Sequence, residues 1–284
     1  MTDRNIGQHY ADVWKRYITT MEAHAAAMDE VHQAECQDGC GALNREYTVF
    51  DERDSDVFKE VDEKGKEIFD RLVHYAQSAF APPGSQRLDI DESKLRQEFI
   101  GRFADRDRDI SYEDFKKKAM GGWRKFDPAA VWNELEKNYG GQQGVELGYQ
   151  QIAKKLVDYF GIKPGQKIET KAGCVVLNVR VYSERRYNNQ MALASSSDDE
   201  TAKGLSHLAT VAEWADDTES SIYLHQYKQK LRSNRSLVSR ERIPISENIT
   251  IITYFNRFEF RFTPEFAGKL QQFISTYAAA SKAA

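Results

Sequence analysis

The chain has 284 residues, 40 of them basic and 44 acidic, for a formal net charge of −4 and an isoelectric point near 5.9. A 40% hydrophobic share with 12% aromatics is enough to fill a core, which excludes wholesale disorder, and no apolar run approaches the ~20 residues of a membrane helix. A uniformly basic nucleic-acid binder, whose isoelectric point exceeds about 9, is excluded as well, leaving room for local basic patches.

The first half reads as helical. Tyr10, Val13, Trp14, Tyr17 and Met21 recur at the spacing of one helical face, and a Gly-containing break follows at Asp38-Gly39-Cys40-Gly41. A second stripe, Val57, Phe58, Val61, Ile68, Leu72 and Tyr75, stops at Pro82-Pro83-Gly84. Shorter helices are predicted at about 91–103, 111–120, 128–139 and 145–160, the third opened by Asp127 as N-cap with Pro128 in the first helical position. Lys163-Pro164-Gly165 closes the helical half.

From about 166 the period falls to two. Val175, Leu177, Val179 and Val181 alternate with Val176, Asn178, Arg180 and Tyr182, and Lys171-Ala172-Gly173 turns this strand back on 166–170. Ser195-Ser196-Ser197-Asp198-Asp199 reads as a solvated loop before a helix carrying Leu205, Leu208, Val211 and Trp214. A second hairpin runs from Ile249 to Phe255 and from Phe258 to Phe262, turning at Asn256-Arg257, and Thr263-Pro264 caps a last helix with Phe266, Leu270, Phe273, Ile274 and Tyr277 on one face. The expected fold is α+β: a helical N-terminal half, then two β-hairpins packed with helices. The expected division is an N-terminal helical hairpin over 1–80 and an α+β domain over 88–284, with one continuous domain as the alternative.

Three cysteines, Cys36, Cys40 and Cys174, suit reduced thiols, and the start lacks the apolar stretch of a secretory signal, so the expected location is cytoplasmic. His32, Cys36 and Cys40 stand four apart, as zinc ligands on one helical face would, but only His24 offers a fourth ligand; no metal and no cofactor are expected. The acidic run from Asp105 to Phe115 imitates a calcium loop, yet Arg108 occupies the glycine position and Phe103 the first ligand position; Ser111 and Asp114 read more simply as a capping box. Gly39-Cys40-Gly41 is no dinucleotide fingerprint, because no strand precedes it. An acidic-x-Lys pair, which in one nuclease fold holds magnesium beside a lysine, occurs four times, and only Glu169/Lys171 falls on a predicted strand.

The basic clusters carry more information. Lys116, Lys117 and Lys118 precede Trp123, Arg124 and Lys125; Arg180, Arg185 and Arg186 surround Tyr182, Tyr187 and Asn188; Lys228, Lys230, Arg232, Arg235, Arg240 and Arg242 follow Tyr223 and Tyr227. Clustered cations neutralise phosphates and nearby aromatics stack on bases, so the expected partner is DNA. The candidate catalytic carboxylates are Asp127 and Glu134, beside Gly121-Gly122 and Trp123.

Val131-Trp132-Asn133-Glu134-Leu135 and the closing run from Tyr254 to Glu265 resemble a family of unknown function carried on bacterial plasmids and integrative elements, often beside DNA methyltransferases, over about 131–280. The resemblance implies a bacterial setting of DNA handling and conflict with phages or mobile elements, as in antiviral defence. Two function classes follow. One is a hydrolase acting on DNA, a DNA glycosylase ahead of a nuclease, using a carboxylate and an aromatic pocket. The other is a non-catalytic DNA- or protein-binding module.

Overall fold

The computed structural model describes residues 6–37, 55–85, 87–100, 121–163, 168–233 and 236–280. The fold is α+β, with a mostly helical N-terminal half. The chain separates into two compact units, one from 1–79 and 90–140, the other from 80–89 and 141–284. The helices after residue 90, which the sequence reading groups with the strands, cluster with the first unit.

In the first unit, α1 (Ile6–Gln37), α2 (Ser55–Ala79), α3 (Glu92–Phe99) and α4 (Pro128–Tyr139) share an apolar core. Trp14, Ile18, Phe69, Leu72, Trp123, Val131 and Leu135 are buried in it. The face of α1 differs from its expected stripe: Val13 is 43% exposed and Ile18 takes its place. Side chains at Val57 and Phe58 lie outside the described residues. Trp14 meets Phe126 edge-on at 5.3 Å and donates its indole N–H to the Trp123 carbonyl at 3.2 Å. Asp127 caps α4 as its sequence position predicts, accepting from the Ala129 amide at 2.9 Å.

The second unit opens with the 80–89 strap and α5 (Gly141–Phe160), then β1 (Glu169–Lys171), β2 (Cys174–Arg180), β3 (Ser183–Arg185) and β4 (Gln190–Leu193). Helices α6 (Ser195–Trp214) and α7 (Thr218–Ser233) follow. Strands β5 (Ser236–Val238), β6 (Arg242–Pro244), β7 (Ile249–Tyr254) and β8 (Arg257–Phe262) precede the last helix, α8 (Pro264–Ala280). Both expected hairpins are present, and they join through β2 and β8 into one antiparallel sheet of order β1-β2-β8-β7-β6. The first turns through Ala172 and Gly173, both with positive φ, as a two-residue hairpin turn of the right-handed strand twist requires. The second pairs Tyr254 with Arg257, so its turn is Phe255-Asn256, one residue earlier than expected.

Along β8 the alternation is strict in its consequence. Phe258, Phe260 and Phe262 share one face with Val179, Ile249 and Ile251, all buried. Helices α5, α6 and α8 supply Leu156, Phe160, Leu205, Leu208, Leu270 and Phe273 to the same core. Residues 195–199 are not a solvated loop. They form the first turn of α6, with Ser197 and Asp198 each 3% exposed, and Ser197 Oγ accepts from the Tyr182 amide at 2.8 Å. Ser and Asp favour helix N-termini as well as loops, which is why the run misreads. A second sheet, β3-β4-β5, also escapes the sequence reading. Its hairpin turns on Asn188 and Asn189, at φ 56° and 57°, a conformation asparagine tolerates.

Two glycines test this packing in opposite directions. A Cβ on Gly204 in α6 would sit 2.3 Å from the Tyr159 ring, whereas one on Gly268 in α8 would meet nothing within 4 Å. Gly204→Ala is expected to lower Tm, an overpacking cost of roughly 1–3 kcal/mol exceeding the helical gain. Gly268→Ala is expected to raise it, by about 0.5–1 kcal/mol of stability. Thermal denaturation of both checks the result.

Candidate nucleic-acid interface

Both candidate catalytic carboxylates have partners on their own helix. Asp127 spends its carboxylate on the α4 cap. Glu134 accepts from Asn138 Nδ2 at 2.8 Å and from Lys137 Nζ at 3.2 Å, and these hydrogen bonds, Asn138 first, hold its pKa below the ordinary carboxylate value. Trp123 is 2% exposed and offers no face to a base, while Arg124 pairs with Glu22 at 2.8 Å. Lys125 is exposed. Lys116, Lys117 and Lys118 lie outside the described residues, as do the Asp105 to Phe115 run and Cys40.

The other two clusters are redistributed by the fold. Arg242 stands on β6, and Arg240 precedes it in an exposed turn at φ 67°. Lys230 and Arg232 are exposed on α7, and Arg235 lies outside the described residues. Lys228 is half-buried and donates to Ser206 Oγ at 2.8 Å; burial pushes its pKa down. On the second sheet, the Arg185 guanidinium lies 4.5 Å from the Phe255 ring centroid. Arg186 is exposed, Tyr187 is 94% exposed at the hairpin tip, and Asn188 serves the turn.

The face of the five-stranded sheet opposite its phenylalanines gathers charge that sequence reading scatters. Directly paired residues of antiparallel strands project to the same face. One row across β2, β8 and β7 is therefore Arg180, Arg257 and Tyr254; the next, reaching β6, is Asn178, Glu259, Ile252 and Arg242; a third holds Val176, Arg261, Thr250 and Pro244. Apart from Val176 and Glu259 these side chains are exposed or half-buried. Two of the arginines lie over tyrosine rings: Arg257 is 4.3 Å from the Tyr254 centroid, and Arg180 is 5.5 Å from that of Tyr182, a residue 62% exposed. Among the described residues no carboxylate lies within ion-pairing distance of Arg180, Arg240, Arg242 or Arg257.

Glu259 is the buried acid of this face, at 1% exposure. Lys171 Nζ approaches it at 3.1 Å and also reaches Glu169 at 3.1 Å, while Arg261 contacts it at 2.7 Å. Burial alone would raise the Glu259 pKa; hydrogen bonds from Arg261 and Lys171 outweigh it and hold the carboxyl below its ordinary value. Glu169 and Lys171 do stand on a strand, but the lysine bridges two carboxylates and neutralises the charge a metal would need. Among the described residues no three His, Cys, Asp or Glu side chains converge as metal ligands. Among the described residues, the groove of about 640 Å³ between β2 and α8 is lined by Phe160, which packs on Phe260, and by one carboxylate, Glu169, which is paired with Lys171.

Tyr254, Arg257 and Arg261 are members of this surface that the basic clusters read from sequence leave out, and Lys171 is read there only as half of an acidic-x-Lys pair. The available signal is the alternation Arg257-Phe258-Glu259-Phe260-Arg261, one charged and one aromatic face on a single strand. Comparison of the chain with protein-family models, with curated proteins and with solved structures finds no match.

The two sets of carboxylates differ in what they hold together. Asp127→Asn is expected to leave Tm nearly unchanged, since asparagine caps as well as aspartate, and Asp127→Ala to cost about 1 kcal/mol. Because the folded-state pKa of Glu259 is depressed, its stabilising contribution is present above the ordinary carboxylate range and is lost as pH falls through the folded value. Glu259→Gln is expected to lower Tm at pH 7 and to flatten the acid limb of a stability profile. Equal acid limbs in the two proteins would contradict the ion cluster.

Proposed function

We propose that this protein binds DNA, and that the open face of the five-stranded sheet receives a single strand. The observation that carries the reading is the cross-strand pair Arg180 and Arg257. Like charges directly opposite each other on a sheet are destabilising, and here no carboxylate among the described residues relieves them. A phosphate would. Each guanidinium lies against a tyrosine, a combination of cation and aromatic surface that suits phosphates and stacked bases together. Arg242 extends the basic face along the sheet, and Tyr182 and Tyr187 add exposed rings.

Binding is favoured over hydrolysis because Asp127, Glu134, Glu169 and Glu259 are each committed to hydrogen bonds or ion pairs. The bacterial setting of phage or mobile-element conflict, implied by the resemblance over 131–280, is the context proposed for such binding.

Fluorescence polarisation with a labelled single strand across a salt series tests this. Affinity is expected to fall with salt at a slope near 0.7 per neutralised phosphate. Arg180→Glu is expected to weaken binding at least tenfold and flatten that slope. The same change is expected to stabilise the fold by about 0.2–1 kcal/mol, by placing Glu opposite Arg257. Loss of binding together with gain of stability identifies a ligand surface; unchanged affinity would overturn the proposal. Abasic sites or strand breaks made by the wild type and lost in Asp127→Asn would favour the hydrolase instead.

A further inference from the structure

The helical side of the second unit contains a small polar cavity that the sheet does not line. Its walls come from Pro82, Ser85, Arg87 and Leu88 of the strap and from α5 and α6, which add Gln151, Lys155 and His207. The volume is about 40 Å³, room for a few waters or one tetrahedral oxyanion when a water needs about 10–15 Å³ on the same measure. A nucleoside would not fit.

The walls are held in place. Gln151 exchanges two hydrogen bonds with the Asp89 backbone, at 2.9 and 2.8 Å, fastening the strap to α5. Gly148 lets Pro82 approach so closely that a Cβ there would lie 2.3 Å from the proline ring. Leu88, 2% exposed, anchors the far end of the strap. Such a cavity is preformed and binds without the cost of ordering its walls.

Its electrostatics are one-sided. His207 is 9% exposed, lines the cavity and has no hydrogen-bond partner among the described residues. Burial, and then the charges of Lys155, Lys203 and Lys228, push its pKa down to about 4. These lysines come from α5, α6 and α7 in turn. No Asp or Glu is among the lining residues; Asp89 lies 3.7 Å from Lys155 with its side chain 73% exposed. An apolar or cationic guest would leave this field unanswered, whereas an oxyanion would accept from the imidazole and from the Lys155 ammonium, with Lys203 and Lys228 adding charge from beyond the walls.

We infer that this cavity binds a single phosphate group, as inorganic phosphate or as the terminal phosphate of a monoester. The inference does not rest on the DNA-binding reading of the sheet face, since the two sites share no residue. A bound dianion stabilises the imidazolium, so occupancy must raise the His207 titration midpoint.

The test uses the full chain and inorganic phosphate at constant ionic strength, with histidine NMR signals as the readout. Phosphate is expected to saturate at sub-millimolar to millimolar concentration and to move the His207 midpoint upward by at least one pH unit. Lys155→Ala, an exposed position on α5, is expected to weaken phosphate at least tenfold with the fold retained, and Lys228→Met to act in the same direction. To separate the sources, 5′-phosphorylated and 5′-hydroxyl oligonucleotides are compared on the Arg180→Glu variant, in which the sheet face is disabled. A preference for the 5′-phosphate that Lys155→Ala removes would assign the site to nucleic-acid ends. Equal oligonucleotide binding with retained affinity for inorganic phosphate would assign it to a free phosphate species. A shift no larger than chloride produces, or saturation unaffected by Lys155→Ala, would overturn the inference.

Discussion

The pairing of β2 with β8 is the contact on which the second unit depends. It joins two strands more than seventy residues apart in sequence, and its register places Val179 opposite Phe258 and Leu177 opposite Phe260. A slip of one residue would turn the phenylalanines of β8 to solvent and carry Arg257, Glu259 and Arg261 into the core. The hydrophobic face thereby enforces the polar one. Whatever the arginines do on the outer face, their alignment is a by-product of burying Phe258, Phe260 and Phe262 against α5 and α8.

That dependence separates two kinds of charge in the molecule. Lys171, Glu259 and Arg261 form a cluster whose members answer one another, and its role is to let a carboxylate remain ionised under the sheet surface. Arg180 and Arg257 have no such answer among the described residues, and the sheet carries their repulsion without return in stability. Around His207 the same imbalance appears at smaller scale, with three lysines acting on one buried imidazole. In both places the proposed phosphate ligand would supply the missing counter-charge.

Local features were legible in the sequence. The Asp127-Pro128 cap, the Ala172-Gly173 turn and the period-two runs of β2 and β8 depend on residues within a few positions, and their chemistry is written where it acts. Features decided by distant partners were not. Trp123 beside Arg124 and Lys125 suggested a stacking surface, but Trp14 and Phe126 enclose the core that buries it. Ser197 and Asp198 looked solvated until Tyr182 supplied a partner for the serine. Lys228 was grouped with its neighbours in sequence, while helical geometry turns it toward Ser206 and leaves Lys230 and Arg232 outward. The Arg180–Arg257 row required the β2–β8 register, which no local pattern contains.

The central claim, that the open sheet face is the DNA surface, is tested most directly by photo-crosslinking a bromodeoxyuridine-substituted single strand and mapping the adducts by mass spectrometry. The account predicts adducts on the peptides carrying Tyr182, Tyr187 and Tyr254, suppressed by high salt. Adducts confined to α7 or to the first unit, with the sheet peptides unmodified, would contradict it.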